Sequence, residues 1–431
     1  MRYATPPPRT RREDRVLAEV EAARDEIVAF TAEMIRIPTV NPPGACYRDC
    51  AELIGRRLRA TGLAVEYVEA EGRPEHTAEH PRVNVVGRGP AFPGRPRFHL
   101  NGHFDVVPPG DGWTVDPFAG LVRDGRILGR GASDMKSGIA AAVFAVEALR
   151  RAGVELGGAV DISATVDEES GGFAGVAHLC ETGIISSDHT RYAIIPEPFG
   201  PTRVCLGHRG VYWFDVVAHG RVAHGSMSHL GRSAIEDMGA LLEAFRTGLI
   251  PELAIRISAL PIVPEPSRHP SLNVNAIAGG QAGGGTQSPC VADRCVATFD
   301  RRFIPEEPLD KVRAEIARLV GSVEDDDPGR RFTIEERMVV HPTSAPQGSP
   351  LVAALCQAVE MVRNRPAELV ASPGTYDQKH FARIAGIEHC VAYGPGSLEE
   401  AHQPDESCSV DDLVASTQVL ALAALELVGP A

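Results

Sequence analysis

The chain lacks any run of eighteen apolar residues, so no membrane-spanning helix is expected and no membrane partner. It lacks an excess of positive charge. Lys and Arg number 43 against 57 Asp and Glu, a formal charge of −14, which repels phosphate backbones and argues against a nucleic-acid partner. It lacks a repeated C-x-x-C spacing. Its nine cysteines are scattered, which suits small buried hydrophobes in a reducing cytoplasm better than a disulfide or cysteine–zinc framework. Met1-Arg2-Tyr3-Ala4-Thr5-Pro6-Pro7-Pro8-Arg9 is basic and proline-rich with no apolar stretch behind it, so no secretory signal is expected. Internal repeats are also missing. With 43% apolar and 23% charged residues, disorder is excluded as the main state.

What is present is a rhythm. At roughly 150 residues per domain, 431 residues suggest two to three domains. Residues 1–14 read as a loose, flexible N-terminal arm. A helical pattern runs through Val16, Val20, Ile27, Phe30 and Met34 and ends before Pro38, and a second helix is expected over 48–61. Strands are expected over 97–107, 158–166 and 191–195, with a helix from Ser137 to Arg151 between the first two. Strand, polar loop, helix, strand marks an α/β domain, whose chemistry gathers at the carboxyl ends of strands. From about 210 the texture changes to strand (210–219), helix (232–247), two strands (272–278, 290–303) and helix (308–321). The α/β rhythm then resumes. The expected division is a catalytic domain over 15–209 and 324–431 with a small α+β domain inserted over 210–323.

Five clusters carry residues able to do chemistry. His103-Phe104-Asp105 puts an imidazole and a carboxylate on one side of an extended segment, the arrangement by which a carboxylate orients a metal-bound histidine. Gly129-Arg130-Gly131-Ala132-Ser133-Asp134-Met135-Lys136-Ser137-Gly138 opens a helix. It lacks the G-x-x-x-x-G-K-[ST] of a phosphate cradle, and its Asp would repel phosphate but suits a metal; an ordinary helix cap is the other reading. Asp167-Glu168-Glu169 crowds three acids at a strand end, which needs cations or solvent to absorb the charge. Glu197 follows Ile194-Ile195-Pro196, and His402 lies in Gly394-Pro395-Gly396…Ala401-His402-Gln403-Pro404-Asp405-Glu406. Together, two histidines, an aspartate and two glutamates suffice for two zinc ions sharing one carboxylate, with one further acid left to handle a proton.

Those motifs, in that order, resemble the co-catalytic zinc amidohydrolases and exopeptidases that include acetylornithine deacetylase, succinyl-diaminopimelate desuccinylase, aminoacylase and the glutamate carboxypeptidases, over roughly residues 20–428. The resemblance implies a large domain with a mixed sheet flanked by helices, plus an inserted lid and dimerisation domain. It implies that His103 and Glu197 bind one zinc, Glu169 and His402 the other, and that Asp134 bridges them. Glu168 would be the general acid/base and Asp105 the partner of His103. Relatives often have a cis peptide after the bridging acid, here Asp134-Met135. Ala223-His224-Gly225-Ser226 is similar to a lid motif whose histidine reaches into the other subunit's site and holds the oxyanion, which implies a homodimer. Arg302, Arg209, Asn275 and the Gly374-Thr375-Tyr376-Asp377 loop resemble substrate-binding positions.

The implied activity is hydrolysis of the amide of an N-acyl amino acid, as in a deacetylase or desuccinylase, with a small-molecule substrate and two divalent ions, zinc before cobalt or manganese. A dipeptidase or carboxypeptidase on the same metal pair is the alternative. A carrier that only binds in the pocket would have no use for Glu168. The chain departs from the family pattern at Met227-Ser228-His229, Gln287-Ser288-Pro289-Cys290 and Gln378-Lys379-His380, which bear on the acyl and side-chain preference and leave the metal set untouched.

Overall fold

A capping box opens the first helix. Thr10 accepts the backbone N–H of Glu13, and the Glu13 carboxylate accepts that of Thr10. The helix Arg11–Ala22 therefore starts inside the arm expected over 1–14. Residues 1–8 of that arm lie outside the described residues, which are 9–95, 97–283, 285 and 287–429 of this computed structural model. The continuous helical pattern expected before Pro38 is in fact two helices, Arg11–Ala22 and Arg24–Ile35, parted at Ala23 where ψ is 3°. Val16, Val20, Ile27, Phe30 and Met34 nonetheless all enter one core.

The described chain divides into two compact units. The larger takes the residues up to Gly207, Ser344–Val370, and those from Tyr376 onward. Seven of its strands lie side by side in the order Ala64–Glu69, Val83–Arg88, Ala159–Thr165, Arg97–His103, Thr190–Ile195, His389–Ala392 and Arg203–His208. The sheet is mixed. Its four middle strands run parallel to one another, and the outer pairings are antiparallel. Residues 159–165 are wholly buried, as expected of parallel strands covered on both faces. His103 ends one of the four parallel strands. Asp167–Glu169 follow another, Glu197 a third, and the loop bearing His402 lies beyond the fourth. The candidate site thus sits where this topology concentrates loops.

The helix Lys136–Arg151 is buried along almost its whole length. Its first residue, Lys136, donates from Nζ to the carbonyls of Met34 and Ile37, 2.9 Å each, tying the helix to the end of Arg24–Ile35. Gly138 lies against Pro196, where a Cβ would come within 2.1 Å of the Pro196 carbonyl oxygen, so only glycine allows this approach.

The second unit spans His208–Thr343 and Ala371–Thr375. Its four-stranded antiparallel sheet has the order Ser271–Gly280, Arg294–Phe303, Gly210–His219, Phe332–Val340. Helices Ala234–Ala244 and Leu309–Asp326, with Phe245, Leu249 and Leu253 just after the first, add to its core, where Phe214 and Phe299 stack at 5.0 Å. The exit expected at 323 comes earlier than the structural one. Phe332–Val340 pairs with Gly210–His219 as an edge strand and holds the chain in this unit to Thr343. The strand expected over 290–303 begins at Arg294.

Candidate metal centre

His103 is buried at the end of its strand. Its Nδ1 lies 3.0 Å from the backbone oxygen of Asp105 and 3.4 Å from Asp105 Oδ1. A proton on Nδ1 leaves the Nε2 lone pair facing outward. That atom is 3.1 Å from Asp134 Oδ1 and 4.0 Å from Glu197 Oε1. Asp134 shows its other oxygen, Oδ2, to His402 Nε2 at 3.5 Å, and His402 Nε2 lies 3.1 Å from Glu169 Oε1. His103, Asp134 and Glu197 form one group, and Asp134, Glu169 and His402 another. In each, the ligand atoms all lie within 4.8 Å of one another. The Asp134–Met135 peptide is cis.

The electrostatics are those of an anion-rich pocket. Burial pushes the Glu169 carboxyl up to about 7, against the pull of His402. Burial, with the nearby Asp134 charge, raises Glu197 well above the carboxylate range. The carboxylates of Asp134 and Glu169 lift His402 to about 10. Burial opposes a charged His103, but Asp105 and Asp134 outweigh it and raise its pKa. Among the described residues, Glu197 Oε1 is buried with no hydrogen-bond partner. A buried carboxylate oxygen without a donor costs free energy unless a cation compensates it. Two imidazoles and three carboxylates form a donor set that fits divalent zinc, cobalt or manganese.

Glu168 belongs to neither group. It sits in a short helical turn, Glu168–Ser170, entered through Asp167 at φ +62°. Asp167 is clamped there by Tyr47 Oη and Arg82 Nε, each donating at 2.8 Å. The Asp105 carboxylate accepts the backbone N–H of Glu168 (3.1 Å) and of Glu169 (3.2 Å), and also Asn41 Nδ2 (3.1 Å). Lys379 Nζ stands 3.6 Å from Glu168 Oε1 and 4.0 Å from Asp377 Oδ1.

The remaining candidates belong to the second unit. His224 is exposed, its Nδ1 2.8 Å from Ser226 Oγ. Arg302 directs its fork at Asp300, with Nε 2.8 Å from Oδ1 and Nη2 3.0 Å from Oδ2. Arg209 is buried and donates to the carbonyls of Pro373 and His269, 3.1 Å each. Asn275 is exposed and accepts from Asn273 at 2.7 Å; the Gly374 N–H donates to Ser372 Oγ at 3.1 Å, and Thr375 is half-buried.

Sequence reasoning assigned no role to Lys379, Asn41, Arg130 or Glu406. The first was visible as a departure from the family pattern. Arg130 and Glu406 stood inside quoted motifs, with nothing local to join them.

The sequence profile of the family described as Peptidase family M20/M25/M40 matches residues 99–426. An N-formyl-4-amino-5-aminomethyl-2-methylpyrimidine deformylase of Bacillus subtilis is 28% identical, over 93% of this chain and 94% of that protein. A succinyl-diaminopimelate desuccinylase of Bordetella parapertussis is 29% identical, over 86% of this chain and 89% of its own. Among solved structures, human carnosine dipeptidase 1 superposes with a TM-score of 0.73 at 20% identity, covering 97% of this chain and 99% of that one. The di-peptidase Dug1p of Saccharomyces cerevisiae gives 0.75 at 16% identity, covering 96% and 98%. Those two likenesses concern the fold.

Proposed function

The chain belongs to peptidase family M20/M25/M40, a hydrolase acting on amides or peptides at a metal site, and on that footing we propose that it removes the acyl group from an N-acyl amino acid. The observation that carries this reading is Asp134, whose two oxygens face different imidazoles, His103 at 3.1 Å and His402 at 3.5 Å.

In this reading His103 and Glu197 hold one divalent cation, Glu169 and His402 hold another, and Asp134 bridges them. When bound, the cations, zinc in the first instance, polarise the scissile carbonyl and lower the pKa of the attacking water. Glu168 takes the proton of that water on its carboxylate and passes it to the leaving nitrogen. The water oxygen bonds to the carbonyl carbon, the C–N bond breaks, and a carboxylic acid and a free amine result. Asp105 holds Glu168 and Glu169 by their backbone amides, which fixes where the proton carrier stands. Gly374, Thr375, Asn275, Arg209 and Arg302 are the groups assigned to the substrate carboxylate.

His224, entering from a second copy of the chain, holds the developing oxyanion. What supports a homodimer through the smaller unit is the strand Ser271–Gly280. Among the described residues it is an edge strand, paired on one side only; it exposes Val274 and Ile277, and the exposed Ile235 of the Ala234–Ala244 helix lies against its Gly279. An unpaired, partly apolar edge invites a second strand. Six of the nine cysteines are buried as small hydrophobes, which supports a reducing cytoplasm.

A second reading is favoured by one observation. Arg302 is already forked onto Asp300, and Arg209 is spent on backbone carbonyls. A substrate that brings no carboxylate, such as the N-formylated amine of the deformylase relative, would need neither. A panel of N-formyl, N-acetyl and N-succinyl amino acids, dipeptides and N-formyl amines, assayed by release of free amine, separates the readings. Turnover of N-acyl amino acids that a chelator abolishes and divalent metal restores is expected. Turnover of dipeptides or N-formyl amines alone would replace the main reading.

A further inference from the structure

Arg130 and Glu406 stand 276 residues apart in the chain and are both about 1% exposed, yet they meet at 2.5 Å between Nη1 and Oε2. The other Glu406 oxygen, Oε1, accepts three consecutive-loop amides: Gly131 N at 3.1 Å, Ser133 N at 2.9 Å and Asp134 N at 3.0 Å. The far side of the guanidinium reaches the opposite loop. Arg130 Nη2 donates to the His402 carbonyl at 3.2 Å and to that of Pro109 at 3.1 Å, and Nη1 to that of Gln403 at 3.4 Å. Trp113 lies beneath the guanidinium at 5.2 Å and donates from Nε1 to the same Pro109 carbonyl at 2.8 Å. One buried ion pair therefore grips both the loop that carries Asp134 and the loop that carries His402.

The two imidazoles are held in unlike ways. His103 ends a strand paired with neighbours on both sides up to Leu100, and itself stands opposite Thr165, so its backbone is placed by the sheet. His402 has φ +64°, a left-handed conformation that a residue with a Cβ keeps only when its surroundings enforce it. Arg130 donates to the carbonyl of this residue and to that of the next.

We propose that Arg130 and Glu406 are a positioning pair that sets the Asp134 and His402 side chains for the cation between Asp134, Glu169 and His402, more than for the cation on His103 and Glu197. The inference rests on the two-cation reading above. Outer groups that orient metal ligands affect affinity as well as structure. A pair serving only to join two loops would leave the two cation affinities alone, or weaken them together.

The test is stepwise Zn²⁺ and Co²⁺ affinity of folded, metal-stripped enzyme, read by competition with a chromophoric chelator and by the cobalt absorption bands. Circular dichroism checks the fold. For Glu406→Gln the expected result is one binding step weakened by about 10- to 100-fold, with the other shifted by less than about threefold. Arg130→Lys keeps the charge but not the two-sided reach, and should weaken the same step. Glu406→Asp should recover part of the loss. His402→Ala identifies the affected step and His103→Ala the other. Unchanged affinities in a folded Glu406→Gln, or equal weakening of both steps, overturn the proposal. If Glu406→Gln does not fold, the same outcomes in Arg130→Lys decide it. If His402→Ala itself binds two cations as tightly as the parent, the two-cation reading fails instead.

Discussion

The carboxylate of Asp105 accepts the backbone N–H of Glu168 at 3.1 Å, so the residue beside one imidazole also fixes the acid that stands apart from both ligand groups. Asn at 105 keeps the shape but loses the charge and one acceptor. Asp105→Asn is expected to lower kcat by about 10- to 100-fold, the range for loss of an orienting carboxylate. Since the scissile amide touches no atom of Asp105 in the proposed scheme, KM should change little. A kcat within twofold of the parent, in steady-state assays of metal-loaded enzyme, would show that Asp105 is not needed to place Glu168.

Glu168→Gln separates proton transfer from metal binding. Glu168 lies in neither ligand group, so metal content measured by atomic emission should match the parent. Removing a positioned general base costs about 10²- to 10⁴-fold in rate. Retention of more than a tenth of the parent kcat with both metals bound would make the assignment of Glu168 wrong.

His224 offers a test by complementation. Glu168→Ala and His224→Ala should each be nearly inactive as homodimers. After mixed refolding or co-expression, a heterodimer contains one site with an intact Glu168 and a histidine from the opposite copy. Random pairing should then restore about a quarter of parental activity, because half of the dimers are mixed and each has one good site. No recovery, with heterodimers confirmed by native mass spectrometry, would mean that His224 does not act across an interface.

His99 predicts an acid-sensitive fold. It is fully buried against Ser163 Oγ (2.7 Å) and Phe381, and burial pushes its pKa down to about 4. In the unfolded chain it titrates near 6.5, so the unfolded state takes up the proton first. The neutral-histidine contribution is complete above about pH 6.5 and is lost progressively as pH falls to about 4, roughly 3 kcal/mol in all. His99→Gln should flatten this limb. Urea unfolding of metal-stripped parent and variant at pH 7.5 and 5 gives the difference; equal pH dependence in the two would contradict the assignment.

Much of this was readable from the sequence, and the reason is positional. Four of the five ligand candidates follow parallel strands whose apolar runs are unmistakable, the fifth, Asp134, stands in a Gly-rich turn just before the central helix, and each of the others lies by a turn rich in Gly, Pro or acid. The break at Ala23 was not readable, since no Gly or Pro marks it and the apolar spacing continues through it. Strand Phe332–Val340 joins the smaller sheet by pairing with residues more than a hundred positions earlier, which local periodicity does not register. The Arg130–Glu406 contact is equally remote. The Asp300–Arg302 pairing, by contrast, was within reach: an i, i+2 spacing on a strand puts both side chains on one face.

The contact of Gly138 with Pro196 has a consequence for how the pocket is kept open. The start of the central helix, four residues from Asp134, rests on Pro196, the residue that leads into Glu197, so closely that a Cβ at 138 would come within 2.1 Å of the Pro196 carbonyl oxygen. The gap between those two acids is therefore set by main chain against main chain. The backbone thus takes on part of the work of holding like-charged oxygens near one another, and that part is done as the chain folds.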